Sequence, residues 1–463
     1  MVTKLIKTKI SEILEERYNL DELKLKIDEL CTDLGLEDKK PLFKHIYHDE
    51  VFGSYVFKTK TRKHDDLYED VYGLDLEKRH RQFQKLSAIV SPEQRTPAWY
   101  DLRRGKITAS DGGTIVGVNE YEMPFKFILK KVGVSDFTTN EACYWGNKFE
   151  EIATKIYELH NNVNVQDFGM IASPEHLIMA ASPDGICTNI RRDGTEGSEY
   201  VGRMLEIKCP FSRELKKEGN VYGDIVKKYY WVQTQLQMLC CELYETDFWQ
   251  VKLEEYESYE DYCDDCGSED YISEKTGMER GMLIEVIPRR FMSELSGYHG
   301  KKLLWSYAKW LYPPRIDMSN EELNSWVLNT IHNLDERTQE LNTGEEYVLH
   351  KVIYWRVFDS HCQLVRRDNK WISKHMPEYE RMWERVIYFR EHPEEYKLFV
   401  KYLGKDKESR SKKVNSRVME VVDRIVMGDE HIITEMMRVV DERERDRETR
   451  VESVSYGYDT DDD

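Results

Sequence analysis

Two runs, Ala180-Ala181-Ser182-Pro183-Asp184-Gly185 and Leu205-Glu206-Ile207-Lys208-Cys209-Pro210, decide how this chain folds and what it offers chemically. The second is a short apolar run with a strand signature. Alternate residues of a strand share a face, so Glu206 and Lys208 project together while Leu205 and Ile207 enter the core. Asp184, from a neighbouring strand end, brings a second carboxylate to that face. Mg²⁺ prefers carboxylate oxygens and keeps several waters. A lysine beside two such carboxylates completes a set suited to metal-assisted phosphodiester hydrolysis. Each motif also has a plain structural reading. Asp-Gly is a common turn, and Glu-x-Lys on a strand is often a solvated ion pair.

Working outward, the next segment downstream, 221–245, is expected to be helical. Tyr230, Gln233 and Gln237 share one face, and glutamines on a mostly apolar helix need something polar to meet. Upstream, 163–208 reads as a strand meander, with Arg191-Arg192-Asp193-Gly194 as a turn. Residues 144–160 form an amphipathic helix whose apolar stripe includes Phe149, Ile152 and Ile156. Glu150 lies beside that stripe and can reach inward; a favourable acid near a helix start explains it equally well. Strands clustered between helices imply an α/β unit.

The chain has 463 residues and a formal charge of −19, which excludes a general nucleic-acid coat but not a local basic channel. Two stretches carry a net charge of +3: Arg95 to Lys131, and Lys208 to Lys228. In the first, Arg103 and Arg104 precede Thr108 and Ser110, both good helix caps, and an arginine beside a helix start is suited to phosphate. No stretch approaches the ~20 apolar residues of a membrane span. The nine cysteines are scattered behind an amphipathic start without a signal-peptide block, so reduced thiols in a cytosol-like compartment are expected.

Residues 1–90 read as a helical accessory region, 91–312 as the core and 313–445 as a second helix-rich region. A hairpin is expected over 346–366, turning at Asp359-Ser360. Residues 446–463 read as an acidic, disordered tail. Residues 254–270 carry nine acids and no Lys or Arg, with Cys263 and Cys266 inside. Without a second ligand pair, a solvated insertion is expected there rather than a zinc site.

Five motifs in one order resemble the λ-exonuclease/YqaJ-like viral recombinase family of the PD-(D/E)XK nuclease superfamily: PAWYDLRRGKITAS, YWGNKFEE, SPDG, LEIKCP and YWVQTQLQM. The resemblance implies a restriction-endonuclease-like core, a mixed sheet flanked by helices, here with helical extensions at both ends. It implies that Arg103 and Ser110 grip a 5′ phosphate, with Arg104 and Tyr230 also facing DNA. Asp184, Glu206, the Ile207 carbonyl and Glu150 would hold Mg²⁺, or Mn²⁺ in its place. Lys208 and Gln233 would complete the catalytic set. The expected activity is resection of linear duplex DNA ends 5′ to 3′. A single-strand annealing protein as partner, a trimeric ring and the cytoplasm or nucleus of an infected host belong to the same expectation. The long flanks resemble extended members from large DNA viruses. An endonuclease, an RNA-degrading nuclease and a non-catalytic DNA-end scaffold remain open on the same core.

Overall fold

The computed structural model describes residues 76–455, apart from 93, 95, 134–138, 216–226, 340 and 342, together with 29 and 32. The helices expected within 1–75 and the last residues of the acidic tail, 456–463, lie outside these.

In chain order, helix α1 spans Leu76–Ser87 and α2 Pro97–Arg104. Strand β1 (Ile107–Thr108) leads through a 3-10 turn, Ala109–Asp111, into the short α3, Gly112–Ile115. Helices α4 (Pro124–Val132) and α5 (Glu141–Asn161) follow. Strands β2 (Val165–Gln166), β3 (Ile171–Ala172), β4 (Met179–Ala181), β5 (Gly185–Cys187) and β6 (Met204–Lys208) form the meander. Helix α6 (Lys228–Cys241) crosses to β7 (Glu245–Glu255). The short α7 (Tyr259–Asp264) precedes β8 (Arg280–Pro288). Then come α8 (Gly297–Tyr307), β9 (Lys309–Leu311), α9 (Asn320–His332) and α10 (Leu334–Gln339). Strand β10 (Tyr347–Arg366) is followed by α11 (Asn369–Glu391), α12 (Pro393–Leu403), α13 (Lys412–Val426) and α14 (Glu430–Ser455).

The ends of these elements follow local chemistry. Thr96 caps α2 by accepting the Trp99 N–H, with Pro97 at the first helical position. Ser319 and Glu322 form the expected capping box on α9. Gly428, at φ +75°, separates α13 from α14, a backbone state costly for other residues.

The main sheet has the order β2-β5-β6-β7-β10-β8-β9, and a small sheet has β1-β4-β3. β6 and β7 run parallel through the α6 crossover, and the other neighbours in the main sheet are antiparallel. The architecture is therefore the expected mixed α/β sheet with helices on both sides. On one side, α5 packs Phe149, Ile152 and Ile156 onto Leu205, Ile207 and Trp249. On the other, α6 and the helices after residue 369 share one core with Met204 and Phe248.

The hairpin expected over 346–366 is instead a single strand. β10 pairs with β7 along its C-terminal half and with β8 along its N-terminal half. Its register against β7 shifts between Val357 and Asp359, a bulge at the place where Asp359-Ser360 reads as a turn. A strand from beyond residue 312 thus lies in the middle of the sheet.

The acidic insert is also more ordered than a solvated excursion. Asp265 is fully buried and accepts from Tyr256, Ser273 and Arg356, at 2.8, 2.8 and 2.9 Å. Cys263 and Cys266 are free thiols.

Candidate active site

The site forms where β5 and β6 present their ends to α6. Glu206 lies opposite Phe248 of β7, and Lys208 opposite Gln250, so both side chains face the α6 side. Asp184 stands just before β5, and its Oδ2 accepts the Ile207 N–H at 2.7 Å. Glu206 is fully buried. Its Oε1 accepts from Lys208 Nζ and from Gln233 Nε2, the latter at 2.7 Å; its Oε2 accepts from Gln237 Nε2 at 2.6 Å. The polar stripe on α6 therefore meets a buried carboxylate. Lys208 Nζ also lies 5.2 Å from the centroid of the Tyr230 ring.

The electrostatics are those of crowded like charges. Burial and the Glu206 carboxylate push Asp184 well above the carboxylate range; Glu150 adds to the rise and the Lys208 ammonium opposes it. Burial disfavours the Lys208 charge, but Glu206 and Asp184 outweigh it and hold Lys208 protonated. Burial pushes the neighbouring Cys209 thiol up, so it is an inert neighbour.

Among the described residues, no three or more His, Cys, Asp or Glu side chains form a ready-made metal cage. Two carboxylates that repel one another, Asp184 and Glu206, suit an ion that keeps much of its water, as Mg²⁺ does, and a cation beside them would relieve that repulsion. The donor set fits such an ion.

The arginine motif lies on the adjoining wall. Arg103 donates to Ser110 Oγ at 3.1 Å and Thr108 Oγ1 at 3.4 Å, and its guanidinium stacks 4.3 Å from the Trp99 centroid. Burial lowers the Arg103 pKa, against the pull of Asp111. Trp99 Nε1 donates to Ser182 Oγ at 3.1 Å, tying this wall to the loop that carries Asp184. Arg104 does not join Arg103: it is exposed, pairs with Asp101 at 3.4 Å, and presents its carbonyl to Arg390. Asp184, Glu206, Lys208, Gln233 and Tyr230 are thus brought together, and Arg103 and Ser110 are paired next door. Glu150, half-buried on α5, is close enough to bear on Asp184.

Sequence reasoning missed the support beneath Arg103. Asp111 is buried and accepts from Thr108 Oγ1 at 2.6 Å, while Lys130 and Lys131 of α4 lie 2.7 and 2.9 Å away. Lys131 Nζ also donates to the Arg103 carbonyl at 2.8 Å. The Thr108-x-x-Asp111 capping pattern was a readable signal; its lysine partners, about twenty residues on, were not.

The structure is a mixed α/β sheet with two acids and a lysine gathered at its strand ends, and residues 98–248 of it match the model of the YqaJ-like viral recombinase domain. An uncharacterized protein of Acanthamoeba polyphaga mimivirus is 32% identical over 366 residues, covering 78% of this chain and 64% of the relative. A protein of African swine fever virus (strain Badajoz 1971 Vero-adapted) is 28% identical over 170 residues, 31% of this chain and 45% of that one. The chain thus spans less than two thirds of either relative's length. An alkaline exonuclease from Laribacter hongkongensis superposes with a TM-score of 0.34 at 14% identity, over 65% of this chain and 97% of that one.

Proposed function

We propose that the chain is a Mg²⁺-dependent DNA exonuclease that resects linear duplex ends 5′ to 3′, leaving single strands for an annealing partner. The observation that carries this reading is the clustering of Asp184, Glu206 and Lys208 at adjoining strand ends, next to the Arg103–Ser110 pair. Asp184 and Glu206, with the Ile207 carbonyl and Glu150, would hold Mg²⁺, or Mn²⁺ in its place; the ion would supply charge for the scissile phosphate and a more acidic water. Lys208 orients the attacking water and offsets negative charge on the phosphorane. Gln233 and Gln237 fix the Glu206 carboxylate, which in turn aims Lys208. Arg103 and Ser110 hold the terminal 5′ phosphate, so that the first bond meets the acids. Residues 1–90 serve as an accessory region, and assembly into a trimeric ring belongs to the same proposal, as does work in the cytoplasm or nucleus of an infected host.

A time course on linear duplex labelled at the 5′ or the 3′ end tests this, with closed circular DNA and RNA offered beside it. Early release of 5′ label, dependence on added Mg²⁺ and loss of the preference for 5′-phosphorylated ends in Arg103→Ala are expected. Cutting of closed circles would make the enzyme an endonuclease, faster loss of RNA a ribonuclease, and no cutting at all a scaffold.

A further inference from the structure

A line of tyrosine rings leads from Lys208 to the protein surface. Tyr230, over which Lys208 sits, is backed by the buried Phe248, with ring centroids 5.5 Å apart. Tyr229 lies 4.2 Å from Tyr230, the planes inclined by 45°. Tyr121 lies 6.1 Å beyond Tyr229, edge to face. The first two rings come from the first turn of α6, and Tyr121 from the loop between α3 and α4.

Tyr121 is 53% exposed, yet its loop is firmly held. Asn119 accepts the Tyr121 N–H at 3.0 Å and donates to Thr114 at 2.9 Å, and Thr114 donates to Glu122 at 2.9 Å. Lys227, ion-paired with Glu120, places its ammonium 5.5 Å from the Tyr121 centroid. A large aromatic ring held out in water by a built loop, with a cation beside it, is a surface suited to a flat, electron-rich partner. The line also borders the phosphate wall. α3 begins at Gly112, two residues past Ser110, and a side chain at Gly113 would collide with Tyr229.

We propose that Tyr121, Tyr229 and Tyr230 are a stacking ramp for the unpaired nucleobases of the strand being cut. Phosphate contacts fix the end of a strand but do not separate its bases from the complement. Rings stack on any base, so the ramp would work without sequence preference. The proposal rests on the nuclease reading of the adjoining site and goes beyond it.

The test uses full-length Lys208→Ala protein with Mg²⁺ and a 5′-phosphorylated single-stranded oligonucleotide carrying 2-aminopurine near its 5′ end. Binding should quench the fluorescence. Adding Tyr121→Ala should weaken binding about tenfold and relieve the quench, and Tyr121→Phe should restore both. An oligonucleotide abasic at its 5′-terminal residues should bind the protein that keeps Tyr121 about as weakly as the base-bearing strand binds the Tyr121→Ala variant. Equal affinity for abasic and base-bearing strands, or no change with Tyr121→Ala, would overturn the ramp. If the parent enzyme still resects linear duplex in that case, the ramp alone fails. If it neither cuts nor binds DNA, the nuclease reading fails with it.

Discussion

Replacing Asp111 by Asn tests the support beneath Arg103 and Ser110, the pair proposed to hold the 5′ phosphate. Asn keeps the shape of Asp and can still accept from Thr108, but it cannot offset two ammonium groups. Lys131 is 4% exposed and would be left as a buried cation with only neutral acceptors, the amide oxygen in place of Oδ2 and the Arg103 carbonyl; Lys130, 43% exposed, would turn to water at little cost. Breaking a buried pair by removing one partner costs about 3–5 kcal/mol. The low end applies here, because Lys131 keeps two neutral acceptors, and about 3 kcal/mol is about a hundredfold in an opening equilibrium. Amide exchange of residues 107–115 reads that opening locally, without requiring the whole chain to unfold as one unit. Exchange about a hundredfold faster is expected, along with a weaker preference for 5′-phosphorylated ends as Thr108 and Arg103 loosen. Adding Lys131→Met should recover much of the loss, a coupling of at least ~1 kcal/mol. The pH sign follows from the depressed Asp111 pKa: burial alone would raise it, but Lys130 and Lys131 override that. The stabilisation is complete above the ordinary carboxylate range and fades as pH falls toward the depressed folded value, and Asp111→Asn should abolish that fading. Exchange changed less than about tenfold, or a double variant merely additive, would refute the reasoning.

Lys208→Ala should lower the cleavage rate by about 10²–10³-fold with DNA binding retained, and a normal rate on linear duplex would remove Lys208 from the chemistry. Arg390 donates from one nitrogen, Nη2, to both the Arg104 and the Lys131 carbonyls, at 2.6 and 2.8 Å, and so ties the ends of α2 and α4 together. Arg390→Ala should therefore speed exchange in α2 and α4 by about tenfold while leaving β7 unchanged, and equal protection would show the link to be idle. A chain cut to residues 91–312 should purify as an unfolded or aggregated protein, since it lacks β10 from between β7 and β8; a sharp thermal transition in that fragment would contradict this.

What was legible in the chain was what depends on near neighbours. The two-residue period placed Glu206 and Lys208 on one face, and the 3.6-residue period placed Gln233 and Gln237 on one stripe; each set turned out to be the other's partner. The hairpin error has the same origin. Alternation reads alike in two short strands and in one long one, and an Asp-Ser pair suits a bulge as well as a turn. Only the pairing of β10 with β7 on one side and β8 on the other distinguishes them, and the paired residues lie between 59 (Tyr347 and Pro288) and 121 (Arg366 and Glu245) positions apart.

Charges meeting across long separations were hidden for a stronger reason. Glu245 accepts from Arg79, Arg203 and Arg366, at 3.2, 2.9 and 2.7 Å, from helix α1, the approach to β6 and the end of β10. Burial alone would raise the Glu245 pKa, but Arg203, Arg366 and Arg79 hold it well below the carboxylate range. Each of these residues, read alone, is an ordinary surface charge, and no spacing rule joins them. Once buried, however, such a group tolerates few alternatives, because losing one partner strands the others in a medium that solvates them poorly. The knot therefore commits α1, the β5–β6 hairpin and the far end of β10 to one mutual arrangement. That arrangement fixes the strand ends from which Asp184, Glu206 and Lys208 project. The regions that read as extensions to the core are, at this knot and at Arg390, part of what holds the candidate site in shape.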